Sequence, residues 1–91
     1  MNKKQIYEQM KKIVETSGGK ILLFEYHKKI FVNIIITIQK GLCVYEFVTD
    51  RGEIFCNKKP ICNDSYYREE NKKTHEKLLE VIKGILETSN C

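Results

Sequence analysis

The sequence predicts an α+β fold of the order αββββα, a four-stranded antiparallel β-meander packed with an N-terminal helix and a longer C-terminal helix. Three observations carry this. Ile30, Val32, Ile34, Ile36 and Ile38 recur at every second position, the period of a strand with one dry face, and β-branched residues suit that pleated surface. Ile6, Met10, Ile13 and Val14, and later Leu78, Val81, Ile82, Ile85 and Leu86, repeat at helical spacing instead, so each set forms one apolar stripe. Turn-forming residues at Lys40-Gly41 and Asp50-Arg51-Gly52 separate short β-rich runs.

Taken in order, residues 3–17 read as the first helix. Lys3, Lys4, Glu8, Lys11, Lys12 and Glu15 fill the face opposite the apolar stripe, Asn2 is a candidate N-cap, and Gly18-Gly19 supplies the residue type that ends helices. Lys20 to His27 is the first strand. A three-residue loop would put Leu22, Phe24 and Tyr26 on the face of Ile36, Ile34 and Val32, with Glu25 opposite Asn33, the register that best separates polar from apolar side chains. The third strand, Leu42 to Thr49, then turns Cys43, Tyr45 and Phe47 inward and Val44, Glu46 and Val48 outward. Glu53 to Asn57 makes the fourth strand, with Phe55 inward beside Phe47. Residues 57–63 read as a loop, because Pro60 blocks a strand. The second helix is expected from about Asp64 or Ser65 to about Thr88. Its first half, Arg68 to Lys77, has almost no apolar residues and is expected to project past the sheet or to lie on it by one edge only.

Length and composition narrow the function classes. The 91 residues make a single domain, 1–91, with 42% hydrophobic residues and one proline, a composition that folds. The N-terminus lacks the apolar run of a signal peptide, and no stretch has the roughly 18 uncharged apolar residues of a membrane span. A cytoplasmic location is therefore expected, with Cys43, Cys56, Cys62 and Cys91 as reduced thiols. A net charge of +4 leans towards acidic partners without requiring them.

No pattern of chemistry-bearing residues stands out. Cys56 and Cys62 flank five residues, too many for a zinc knuckle, and a set of Cys56, Cys62, His75 and Cys91 gains no support from its spacing. Cys62, His75 and Asp64 can be drawn as a nucleophile, base and acid, but nothing in their spacing selects them. Gly18-Gly19-Lys20 follows a helix and precedes a strand, the reverse of a phosphate loop. No catalytic residue, metal or cofactor is assigned.

What remains is surface. If both helices cover one sheet face, the other carries Leu23, Ile35, Val44, Val48 and Ile54 among Glu25, Asn33, Thr37 and Glu46. So many apolar side chains together mark a contact surface, here assigned to self-association, with the edge of the fourth strand as the alternative route. One helix on each face would instead consume the patch internally. Tyr66, Tyr67 and Arg68, with Lys58 and Lys59 just before them, are assigned to partner binding, since tyrosine and arginine dominate binding hot spots.

In size, composition and layout the chain is similar in outline to small single-domain proteins of phages and mobile elements, including anti-CRISPR and other anti-defence inhibitors. That resemblance rests on no individual residue. It implies a non-enzymatic protein-binding module that blocks or scaffolds a larger bacterial complex, possessing a protein partner that can be a nucleoprotein, forming a homo-oligomer and not touching membrane. The alternative is a small basic nucleic-acid-binding accessory protein using the lysine pairs Lys3-Lys4, Lys11-Lys12, Lys28-Lys29, Lys58-Lys59 and Lys72-Lys73.

Overall fold

The computed structural model describes residues 2–28, 32–50, 53–63 and 71–90. In chain order it contains α1 (Lys3–Thr16), β1 (Lys20–Lys28), β2 (Val32–Lys40), β3 (Cys43–Asp50), β4 (Glu53–Cys56), β5 (Lys59–Asn63) and α2 (Asn71–Thr88). The strands form one antiparallel sheet in the order β1-β2-β3-β4-β5, so the meander has five strands rather than four.

Local chemistry sets the first helix. The Asn2 side chain accepts from the Gln5 backbone N–H at 2.9 Å while the Gln5 side chain accepts from the Asn2 N–H at 3.0 Å, a reciprocal cap on two otherwise unpaired donors. At the other end Gly18 takes φ +85°, and the Gly19 N–H donates to the Val14 carbonyl at 2.8 Å. A Cβ on Gly19 would lie 3.1 Å from Val14 and 3.3 Å from the Gln39 carbonyl oxygen. That close approach lets the chain turn directly from α1 into β1.

Both helices lie on the same sheet face. Ile6, Met10 and Val14 of α1 and Leu78, Ile82 and Leu86 of α2 form one buried cluster with Ile34, Ile36 and Ile38 of β2, Phe47 of β3 and Ile54 of β4. Full burial of each such side chain contributes about 1.5–3 kcal/mol. The Lys40 ammonium donates to the Leu86 carbonyl, and the Tyr45 hydroxyl lies 2.8 Å from Ser89 Oγ, tying the end of α2 to the β2–β3 hairpin. Buried Thr49 presents its Oγ1 to the Ile34 N–H at 2.9 Å, satisfying a backbone donor inside the core.

Five expectations are corrected. Asn57 and Lys58 have φ of 52° and 69°, the left-handed pair of a tight hairpin turn, so residues 57–63 are a turn and a fifth strand rather than a loop. Pro60 is accommodated because β5 is a margin strand, where a missing N–H need not break the ladder. Asp50 pairs directly with Glu53, which puts Ile54 opposite Thr49 in the core and Phe55 opposite Val48 on the other face, the reverse of the expected assignment. Between β1 and β2, Tyr26 pairs with Ile34 and Phe24 with Ile36, two residues from the expected register but with their faces kept. An irregularity between Ile21 and Leu23 hands the core position to Ile21 and leaves Leu22 48% exposed. Finally, Cys43 is disulfide-bonded, not a reduced thiol.

The second helix is described only from Asn71, and residues 64–70, where its start was expected, lie outside the described residues. So do Ile30 and Phe31, where the alternating run that predicts the second strand, Ile30 to Ile38, begins.

Candidate functional site

Because both helices sit on one side, the sheet's opposite face has no layer over it among the described residues. The strand registers set its pattern. One cross-strand row runs Glu25, Ile35, Val48, Phe55, Pro60 from β1 to β5. Its four central and terminal apolar members are contiguous, and they span about 15 Å at the usual strand spacing. Beside it lies the row Leu23, Thr37, Glu46, and beyond that the pair Gln39 and Val44. Leu23 is 45% exposed and Val44 50%, while Ile35, Val48 and Phe55 are half-buried.

Charge on this face is mostly acidic. By strand alternation it takes the carboxylates Glu25, Glu46, Asp50 and Glu53, against Lys20, paired with Gln39 at the start of β1, and His27. His27 Nε2 lies 3.9 Å from Glu25 Oε1, with both side chains well exposed. Other lysines gather elsewhere: Lys3, Lys4, Lys11 and Lys12 on α1, Lys77 and Lys83 on α2. A protein of net charge +4 therefore presents an apolar stripe bordered by acids on its uncovered side. Asn33, paired with His27, buries its Oδ1 without a hydrogen-bond partner.

Four of the five residues assigned to self-association, Leu23, Ile35, Val44 and Val48, do share this face. Ile54 does not, being 1% exposed in the core, and Phe55 takes its place. That exchange was missed because Ile54 and Phe55 are adjacent and both apolar, so only the length of the preceding turn decides between them. Of the residues assigned to partner binding, Lys58 and Lys59 are exposed at the tip of the β4–β5 hairpin, and Tyr66, Tyr67 and Arg68 lie outside the described residues.

Reactive groups are dispersed. Burial pushes the Cys56 thiol up, which keeps it protonated and poorly nucleophilic. Burial likewise pulls His75 below its usual value, against the opposing pull of Glu76. Among the described residues no three of His, Cys, Asp and Glu gather into a metal-binding group, and no helix is long and apolar enough to cross a membrane.

The chain matches no protein-family model, no curated protein and no solved structure. Its function must be read from the uncovered face and the groups around it.

Proposed function

We propose that the protein is a small non-enzymatic binding module whose uncovered sheet face docks on a protein partner. The observation that carries this reading is the row Ile35, Val48, Phe55 and Pro60, continued by Leu23 and Val44, on a face that neither helix covers. A contiguous apolar stripe of this kind with a polar border has the anatomy of an interface. The bordering Glu25, Glu46 and Asp50 favour a partner that brings cations. Self-association through the same face is the second form of the reading; it would set like charges against each other around the stripe and show as a mass that grows with concentration.

The biological class we attach to this is steric blockade or scaffolding of a larger bacterial complex, in the manner of a phage or mobile-element inhibitor of host defence. Its support is the outline of a small module built around a surface rather than a cleft. The cytoplasm is the compartment we attach to this reading, whereas the disulfide at Cys43 agrees with an oxidising compartment. Thiol alkylation of protein taken directly from cells distinguishes the two.

The test is capture from bacterial lysate with and without nuclease, repeated with a Val44→Glu, Val48→Lys double variant. A protein complex retained after nuclease and lost with the double variant is the expected result. Retention by the folded double variant overturns the assignment of the face. Loss of capture on nuclease treatment, with steep weakening between low and physiological salt, supports the lysine-based nucleic-acid reading instead.

A further inference from the structure

The sheet has two margins, and they are guarded differently. On β5 the strand is five residues long, carries Pro60 and has a register irregularity opposite Ile54 and Phe55. These are the usual devices against unwanted strand addition. On β1 the strand is nine residues long and contains no proline; its one irregularity is at Leu22, residues 23–28 run in unbroken register, and among the described residues it pairs with β2 alone, so its outer side offers backbone donors and acceptors.

A trough follows this margin between α1 and β1. Its larger part, about 550 Å³, has Lys3, Lys4 and Tyr7 above and residues 21–24 of β1 below. The irregularity at Leu22 turns that side chain into the trough at 48% exposure. A smaller part of about 160 Å³ shares Tyr7 and Ile21 and adds Lys11, Glu15 and Lys20. The trough thus has an apolar floor and four lysines against one carboxylate.

We propose that this trough binds an extended acidic segment of a partner protein, which adds to β1 as a sixth strand. Its backbone would pair with the outer side of β1, the mode of recognition in which main-chain bonds hold the peptide and alternate side chains select it. Side chains turned towards α1 would place apolar groups against Leu22 and Tyr7 and carboxylates at Lys3, Lys4 and Lys11. Single-stranded nucleic acid fits less well. Tyr7 packs edge-on against Phe24 with ring centroids 5.3 Å apart, so its ring is engaged rather than presented for base stacking. This surface meets the uncovered face only at Lys20 and Leu23, and variants at Phe55 on one side and at Lys3 and Lys4 on the other test the two independently.

The experiment is selection from a phage-displayed library of random dodecapeptides on the immobilised full chain, followed by affinity measurement with the best synthetic peptide. Sequences in which apolar residues and Asp or Glu share one set of alternate positions are expected. The peptide should bind about tenfold more weakly to a Lys3→Glu, Lys4→Glu variant and to Leu22→Asp, all at exposed positions, and equally well to Phe55→Asp. N-methylation at alternate backbone positions should abolish binding. Three results would overturn the proposal: no acidic enrichment, full binding of the N-methylated peptide, or loss of binding on Phe55→Asp alone. Tighter binding of oligothymidylate, lost in the Lys3→Glu, Lys4→Glu variant, would overturn it in favour of nucleic acid.

Discussion

Ile34, Ile36 and Ile38 are sealed beneath two helices, while Ile35, from the same strand and of the same residue type, looks out from the other side beside Val48 and Phe55. The chemistry of these positions is nearly identical and their fates are not. On the roofed side the helices close over every apolar row of β2, and the polar groups there are satisfied internally, as Thr49 shows with Ile34. On the uncovered side the apolar row is bordered by carboxylates and an asparagine whose buried oxygen has no partner. Stability is concentrated on one face of the sheet and unspent contact area on the other. A small domain buries a limited fraction of its surface, and among the described residues the fully buried apolar side chains of this one gather on a single side.

The sharpest way to break this comparison is at Ile54 and Phe55. Ile54→Asp places an unpaired charge in the core and should cost about 4 kcal/mol or more, enough to unfold much of the population. Phe55→Asp, one residue later on the uncovered face, should cost less than about 1.5 kcal/mol and leave the circular dichroism spectrum unchanged. Urea titration of both variants checks this, and the opposite ranking would restore the other strand parity and exchange the two faces at β4.

A smaller effect is expected at Thr49. Thr49→Val keeps the shape but leaves the Ile34 N–H buried without an acceptor, which should lower stability by about 1–3 kcal/mol with little change in the denaturant slope. Threonine at position 37, on the uncovered face, has no such bond given to it by the core, and Thr37→Val should be within about 0.5 kcal/mol of wild type.

The smallest effect concerns pH. His75 continues the stripe of Leu78 and Ile82 and is buried, which holds its folded-state value below the ordinary 6.5. Above that pH both folded and unfolded states carry the neutral ring, and the group contributes no slope. As pH falls through 6.5 the unfolded chain takes up a proton that the folded state resists, so stability should decline from there towards the lower folded value. Thermal melts in steps from neutral to mildly acidic pH should show this decline, and His75→Gln should flatten it.

Much of the architecture was legible in the residues. The helical spacing of Ile6, Met10 and Val14 and of Leu78, Ile82 and Leu86, the alternation of Ile34, Ile36 and Ile38, the Asn2 cap and the Gly18 stop are local signals, carried by neighbours within a turn or two. The same holds for most of the candidate face, since Leu23, Ile35, Val44 and Val48 follow from alternation within long strands whose core side is unambiguous.

What failed was short or marginal. Strand β4 has only four residues, so its pattern cannot vote on its own parity, and pairing of Asp50 with Glu53 shortens the turn by one residue and exchanges Ile54 with Phe55. Pro60 argues against a strand only where both sides of that strand must pair. Residues 59–63 have one neighbour, β4, and the Asn57-Lys58 turn delivers them to it.

The trough along β1 is of the same kind, because nothing in residues 3–7 or 20–24 says that they will border one groove until α1 is laid over the sheet's margin. By itself the sequence determined the elements and their wet and dry sides, since period and capping are properties of consecutive residues. Only the tertiary structure decided which strand lies at a margin, which neighbour of Ile54 is buried and which face stays uncovered. Those depend on loop closure and on where two helices find a common surface, and no single stretch of the chain encodes either.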